Sequence, residues 1–449
     1  MNPFETTFIN IFNKVIAPGK KPLEGGLPLG YIVGENGVTE QPYYLPTMER
    51  AKHISVLGKS GAGKTYWIRN IIQHDIEAGR GFIIFDFHGD IIPPTLSYLA
   101  ACGVDPVRVV IIDPTSREWA VGINPLEASD DATRFRRITD VTRTLCQRFD
   151  FSGARTEELM RQVLFILSAN NLTLLEASLA LSNDNYRATL LKNVTNTDVR
   201  EYFELRFDPL SEAMKATMRE PVLNKLSELT GDPQHRLLLG QCESTISFDE
   251  ILNCNFIVLV NCNKGALGRH AATIASLIYG YFLPAVYKRR SRSLYTVFAD
   301  EMQNLVSDET NLEVMFTEAR KFGVGLLAAN QFNSQLPAEM RSAVQAAGTR
   351  IWFQLTPEDA EQVAREIGGN KGMAERLKNL PPRHFIAKQG NHKPYEVLTP
   401  DVQTAKTPAT HLYVASSNLH ARRREDVERD ILARRPKVTP PKEVLDDWE

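Results

Sequence analysis

The sequence predicts an α/β fold: a mostly parallel sheet with helices on both faces, interrupted by an inserted all-helical subdomain. Three observations predict it. Gly58-Lys59-Ser60-Gly61-Ala62-Gly63-Lys64-Thr65 matches G-x-x-x-x-G-K-[ST] between an apolar run, His53–Leu57, and Trp67, Ile68, Ile71, Ile72 and Ile76 at helical spacing. The remaining strand candidates are continuous Ile/Val/Phe runs without alternation, as strands buried on both faces require. From about Ser129 to Ile246 the pattern is helical only.

Taken in order, the run Gly81–Phe87 reads as a strand, Ile91–Ala101 as a helix starting near Pro93-Pro94, and Val107–Asp113 as a strand stopped by Pro114. Helical periodicity then covers Arg134–Phe149, Thr156–Ala169, Leu174–Leu181, Tyr186–Asn193 and Leu210–Leu229. The sheet resumes at Phe256–Asn261. A helix over about Gly268–Arg289 follows, then the strand Leu294–Ala299, a helix Glu309–Phe322 and the strand Val324–Ala329. A helix Ala338–Ala346, a strand Arg350–Leu355, a helix from Glu358 and strands His384–Lys388 and Tyr395–Leu398 complete the order. The expected organisation is a lead segment over 1–45, core over 46–128, helical insert over 129–247, core over 248–400 and a polar tail over 401–449. The tail carries one charged helix, Arg422–Arg435, with mixed charges at i,i+4 spacing, and is expected to be a flexible arm or a clamp on a neighbour.

With 52 Lys and Arg against 54 Asp and Glu, the chain has no globally basic surface, so nucleic-acid contact requires a local patch. Cys102, Cys146, Cys242, Cys254 and Cys262 lack metal-ligand spacing, and the expectation is reduced thiols in the cytoplasm. No apolar run of the sequence approaches the length of a bilayer span. Phe4–Ile16 is amphipathic and has two readings: a first helix packed on its own domain, or one docked on a partner or membrane surface.

The glycines of the 58–65 loop let backbone N–H groups curl round a phosphate chain at the positive end of the following helix. Gly58, Ser60, Gly61, Ala62, Gly63, Lys64 and Thr65 are thus the expected nucleotide cradle. Lys64 reaches the β- and γ-phosphates, and the Thr65 hydroxyl ligates Mg²⁺. ATP and Mg²⁺ are the expected cofactors. Leu294–Glu301 is an apolar strand ending in two adjacent carboxylates. Asp300 is expected in the Mg²⁺ shell and Glu301 at the attacking water. A further apolar strand ends in Asn330-Gln331, where Gln331 either senses the γ-phosphate or caps the next helix. Arg320, in Glu318-Ala319-Arg320-Lys321-Phe322-Gly323, either complements a helix dipole or acts as an arginine finger on a neighbour's nucleotide, with Arg350 as the rival. In Phe85-Asp86-Phe87-His88-Gly89-Asp90, Asp90 either caps the following helix or joins the site.

These motifs together resemble the HerA–FtsK superfamily of hexameric P-loop motors, and within it the TraG/TraD-like coupling ATPases of conjugation and type IV secretion. The resemblance runs from about Pro46 to Pro400. It includes Asp86-Phe87-His88-Gly89-Asp90, Ile123-Asn124-Pro125-Leu126 and Asn263-Lys264-Gly265-Ala266-Leu267-Gly268 as well as the loop and strand ends above. It implies a RecA-like P-loop NTPase core, an all-α domain at a channel mouth, ATP between the subunits of a hexameric ring and DNA in the channel. The spacing from Glu301 through Arg320 to Gln331 favours Arg320 over Arg350 as the trans finger. Membrane-bound coupling proteins carry two transmembrane helices ahead of this core. Their absence from this sequence implies a soluble relative in the cytoplasm, or one held peripherally at the inner membrane by a secretion-system partner.

The function expected first is an ATP-driven DNA translocase. A secretion ATPase acting on protein and a nucleotide-gated scaffold with little turnover are the alternatives. Arg134, Arg136, Arg137 and Lys288-Arg289-Arg290-Ser291-Arg292 are candidate contacts for DNA or nucleotide, or simply solvated helix ends.

Overall fold

The computed structural model of the chain describes residues 26–149, 153–305, 315–369 and 371–435. The Phe4–Ile16 segment lies outside them, as do residues 309–314 of the helix expected before Phe322. The chain divides into two compact units, one drawn from 1–115, 139–153 and 247–419, the other from 116–138, 154–246 and 420–449.

The first unit is built on an 11-stranded sheet. In chain order its strands are β1 (Leu27–Gly34), β2 (Gly37–Leu45), β3 (Ile54–Leu57), β4 (Phe82–Asp86) and β5 (Val109–Ile112). After the two-residue strand β6 (Trp119–Ala120), which belongs to the other unit, come β7 (Ile257–Asn261), β8 (Tyr295–Asp300) and β9 (Val324–Asn330). β10 (Thr349–Trp352), β11 (His384–Gln389) and β12 (Tyr395–Leu398) complete it. The spatial order is β2-β1-β12-β11-β10-β3-β9-β8-β4-β7-β5. From β10 to β5 every pairing is parallel, and from β2 to β10 every pairing is antiparallel.

The parallel register explains how distant motifs meet. Leu57 on β3 stands opposite Asn330 on β9, Asp300 on β8 opposite Ala329, and Asp86 on β4 opposite Asn261 on β7. The C-terminal ends of these strands therefore lie along one edge, where ligands of open α/β sheets bind. Below that edge, the helix Lys64–Glu77 buries Trp67, Ile68, Ile71, Ile72 and Ile76 on the sheet. Trp67 packs edge-on to Phe353 and Phe385, and its indole N–H donates to Leu29 O at 3.0 Å. At the helix's far end Asp75, fully buried, takes both Arg50 nitrogens at 2.6 and 2.7 Å and Arg80 at 3.1 Å. Burial pushes its carboxyl up, and these cations, Arg50 foremost, hold it below the usual range.

Two expectations are corrected here. The lead segment is no mere leader from Leu27 onward: β1 and β2 form a hairpin that buries Leu27, Leu29 and Leu45 and pairs β1 with β12. Asn36-Gly37 at its turn, with Gly37 at φ 110, is the local signal for it. The tail is not a free arm over residues 410–435. In the helix Thr410–His420, Leu412 is buried in the core and Ser416 Oγ accepts from Ile111 N at 2.8 Å, so part of the open edge of β5 is satisfied.

The second unit is helical as expected, with Ala154–Ala169 and Glu212–Thr230 its longest complete helices. A short π-helical stretch, Tyr202–Phe207, sets Phe203 edge-on to Phe207, and the buried Arg187 lies over both rings at 5.7 and 5.1 Å. Arg422–Arg423 (β13) pairs antiparallel with β6, and the helix Arg424–Ala433 packs Val427 and Ile431 against Ala120 and Leu237. That i,i+4 apolar pair explains why a segment of such high charge is docked.

His53, just before β3, is 2 % exposed and neutral by construction. Its Nδ1 accepts from Leu326 N at 3.0 Å, so Nε2 carries the proton and donates to Phe316 O at 3.1 Å. Burial, with Arg320 adding to it, lowers its pKa from 6.5 to about 4 against the Phe316 bond. The unfolded chain binds a proton at about pH 6.5 that the folded chain refuses until about pH 4, so stability falls as pH falls through that window. The full loss is about 3 kcal/mol. We expect His53→Asn to flatten the wild type's stability between pH 6.5 and 4 in urea titrations. An unchanged acid limb would refute the assignment.

Candidate nucleotide and hydrolysis site

The loop after β3 has a backbone that only these residue types permit. Gly61 and Gly63 sit at φ 77 and 106, and a Cβ on Gly63 would stand 3.0–3.1 Å from the backbone of Arg383. Gly58 is equally confined, with Phe353 Cβ 2.6 Å from where its own Cβ would be. Nothing lies within 4 Å of a Cβ on Gly61, so the loop is open on that side. Arg383 braces the loop from behind: its N–H donates to Ala62 O at 3.0 Å, and its guanidinium lies 4.7 Å from the Tyr66 ring centre.

Lys64 is 8 % exposed and turns back over the loop, donating to Gly58 O and to Lys59 O at 3.0 Å. Burial pulls its pKa down, opposed by the charges of Asp300 and Glu301. Thr65 Oγ1 donates to Asp300 Oδ2 at 3.2 Å. Asp300 is pushed up by burial, with Lys64 opposing. A hydroxyl and a carboxylate oxygen side by side are hard donors that suit Mg²⁺. Among the described residues no group of three His, Cys, Asp or Glu side chains forms a protein-only metal cage. That matches an ion which takes its other ligands from phosphate and water.

Glu301 is the densest junction. Its φ of 62° is rare for a residue with a side chain, a strain that persists only where the surroundings impose it. Oε1 accepts from His88 Nε2 at 3.0 Å and Gln331 Nε2 at 3.3 Å. Oε2 accepts from Lys264 Nζ at 2.6 Å and Asn304 Nδ2 at 2.7 Å. Burial pushes the carboxyl up, and the bonds from Lys264 and His88 outweigh it, so the group is held below the usual glutamate range and ionised.

Asp86 organises the turn that carries His88. Its Oδ1 accepts from His88 N and Gly89 N at 3.2 and 2.7 Å, and its Oδ2 from Ile91 N and Ile92 N at 3.0 and 2.9 Å. The carboxylate at the start of the helix Ile92–Ala101 is thus Asp86 and not Asp90, which is exposed. The turn after β7 is laced to this one. Lys264 N donates to Phe87 O at 3.1 Å, and Asn263 Nδ2 to His88 O at 3.2 Å.

The structure thus brings together Lys64, Thr65, Asp300, Glu301 and Gln331. It does not bring Arg320 to the loop of its own chain. Arg320 is exposed on the 3-10 turn Ala319–Phe322, before β9 and at the opposite edge of the sheet. The seven residues of β9 separate the edges by roughly 20 Å. Arg350 also lies near that far edge, opposite Ser55, where it pairs with Glu366 at 3.4 Å. Of the basic candidates, Arg289 is buried and donates to Leu252 O, Ser293 O and Phe322 O at 3.1, 2.7 and 2.7 Å, so it is structural. Arg134 is paired with Asp131 and donates to Ser168 Oγ at 3.2 Å.

Residues 28–230 match the family model of the central domain of helicase HerA. Over that stretch the chain is similar to the HerA central domain. The bacterial conjugative coupling protein TrwBdeltaN70 superposes with a TM-score of 0.57 at 17 % identity, over 88 % of this chain and 97 % of that one. Plasmid coupling protein TrwB in complex with ADP and Mg²⁺ gives 0.56 at 17 %, over 88 % and 98 %. VirB4 of Thermoanaerobacter pseudethanolicus gives 0.58 at 15 %, over 86 % and 98 %. At these identities the likeness shows a shared RecA-like fold. A comparison with curated protein sequences gives no match. No helix among the described residues is long and apolar enough to cross a membrane.

Asp86 is 1 % exposed and accepts four backbone N–H bonds, so Asp86→Asn sets an amide N–H₂ against donors. We expect a loss of about 1–3 kcal/mol in chemical denaturation. A variant as stable as wild type would contradict this account of the turn.

Proposed function

We propose that the chain is an ATP-hydrolysing motor that assembles as a ring, in the expected case a hexamer, and drives DNA through its channel. The observation that carries this is the placement of Asp300, Glu301 and Gln331 at the ends of the adjacent strands β8 and β9, beside Thr65 at the start of the helix that follows the loop. A chain that only bound nucleotide would have no use for the second carboxylate, held ionised next to the metal-binding one. The HerA central-domain match and the likeness to TrwB and VirB4 support the choice of a motor over other P-loop proteins.

ATP binds with its phosphates on the N–H groups of the Gly58–Thr65 loop. Lys64 leaves the carbonyls of Gly58 and Lys59 to meet the β- and γ-phosphates. Thr65 and Asp300 hold Mg²⁺, which when bound neutralises charge on the phosphate oxygens. Glu301 orients the attacking water and accepts its proton, which requires it to exchange one of its four present donors for that water. Gln331, bound to Glu301 Oε1, links the γ-phosphate to this carboxylate. Arg320 stands at the far edge of its own sheet, so its place as a finger is on a neighbour's nucleotide. Its segment is tied at both ends, by His53 at Phe316 O and by Arg289 at Phe322 O.

The test is ATPase activity against protein concentration, with and without single- and double-stranded DNA. We expect turnover to climb with concentration and rise with DNA, and Lys64→Ala to lose on the order of a hundredfold or more. Mixing Lys64→Ala with Arg320→Ala should restore part of the activity that each lacks alone. Activity indifferent to concentration and DNA would favour a protein-directed ATPase and remove the translocase proposal.

A further inference from the structure

Arg148, the last residue of the helix Asp131–Arg148, has an arrangement that packing alone does not call for. Its guanidinium is largely withdrawn from water, yet its hydrogen bonds go to uncharged oxygens. Nε and Nη2 donate to Ser276 Oγ at 3.1 and 2.7 Å, and Nη2 also donates to Asn304 O at 2.7 Å. Burial lowers its pKa to about 10, the mark of a cation held in place against its solvation.

The place it occupies is the end of the short helix Met302–Leu305, which begins one residue after Glu301. Such an end exposes carbonyls with no helical partner. Arg148 takes Asn304 O directly, and Ser276 Oγ, which Arg148 also binds, donates to Leu305 O at 2.8 Å. The peptide fixed in this way belongs to the residue whose side chain holds the candidate base: Asn304 Nδ2 lies 2.7 Å from Glu301 Oε2. Asn304 N also donates to Glu301 O at 2.9 Å, closing a turn directly after Glu301, whose own φ is 62°.

We propose that Arg148 is a positioning residue for Glu301 and acts through Asn304. It fixes the Asn304 peptide, Asn304 fixes Oε2, and the carboxylate thereby faces the water it must orient. The inference rests on the hydrolytic role proposed for Glu301 above. The side-chain bonds of Lys64 and Thr65 go to Gly58 O, Lys59 O and Asp300, so nucleotide binding is expected to be independent of Arg148 and Asn304.

The experiment is a double-mutant cycle on the full chain with Arg148→Ala, Asn304→Ala and both. Steady-state kcat and KM for MgATP are read alongside binding of a fluorescent ATP analogue. Expected is a fall in kcat of about ten- to a hundredfold in each single variant. KM and analogue affinity should stay within about twofold, and the double variant should be no slower than the worse single. If Arg148→Ala does not fold, Arg148→Lys takes its place, with a smaller loss that disappears in the Asn304→Ala background. Wild-type kcat in the Arg148 variant, a loss that multiplies with that of Asn304→Ala, or a loss confined to analogue binding would overturn the proposal. A wild-type chain that binds the analogue but does not turn ATP over would instead overturn the hydrolytic role of Glu301, and this inference with it.

Discussion

A carboxylate taken out of water must be given donors, and Glu301 receives them from four separate places. His88 follows β4, Lys264 follows β7, Asn304 follows Glu301 itself and Gln331 follows β9. Asn304 meets Glu301 locally, whereas His88, Lys264 and Gln331 reach it because β4, β7, β8 and β9 are parallel neighbours whose C-terminal ends align. The sheet order provides that alignment, and it places β3 with its phosphate loop next to β9. The demand of one ionised group therefore runs through the architecture: misplace a strand by one position and a buried charge loses a partner, at a cost of several kcal/mol.

The same logic separates what is rigid from what must move. Gly58 and Gly63 are confined by Phe353 and Arg383 at close range, while Gly61 faces open space, so the ends of the loop are preset. Lys64 is held by backbone carbonyls, which are weaker competitors than a triphosphate for an ammonium group. Glu301 has four donors on its two oxygens, and the hydrolytic role proposed for it requires the loss of one. A preset loop and exchangeable donors are what the proposed turnover requires.

Much of this was legible in the sequence, for identifiable reasons. The phosphate loop, the strand ends at Asp300-Glu301 and Asn330-Gln331, and the helical insert announce themselves because their local pattern is dictated by local chemistry: glycines where φ is positive, unbroken apolar runs where both faces are buried. Lys264 and Asn304 were not legible as partners of Glu301, because their role exists only through strand register, which no local pattern encodes. Lys264 lay in a stretch noted only for its resemblance to a motor family. The β1–β2 hairpin has a weak sequence signal because Pro28 and Gly30 interrupt its pattern, although Asn36-Gly37 marks its turn. Arg289 read as one of a basic cluster and proved to be buried, since charge counts say nothing about which side chain turns inward. The docked tail was hidden by its charge: Val427 and Ile431 are a two-residue stripe in a helix otherwise made for water.

The central claim is that Glu301 converts nucleotide binding into hydrolysis. The most direct test is Glu301→Gln, in which bound ATP is followed through a single turnover by quenching and separating the nucleotides. The account predicts that the variant binds MgATP with wild-type affinity and retains it as ATP, with the cleavage rate down by about a hundredfold or more. A variant that binds ATP and cleaves it as fast as wild type would contradict the account at its base.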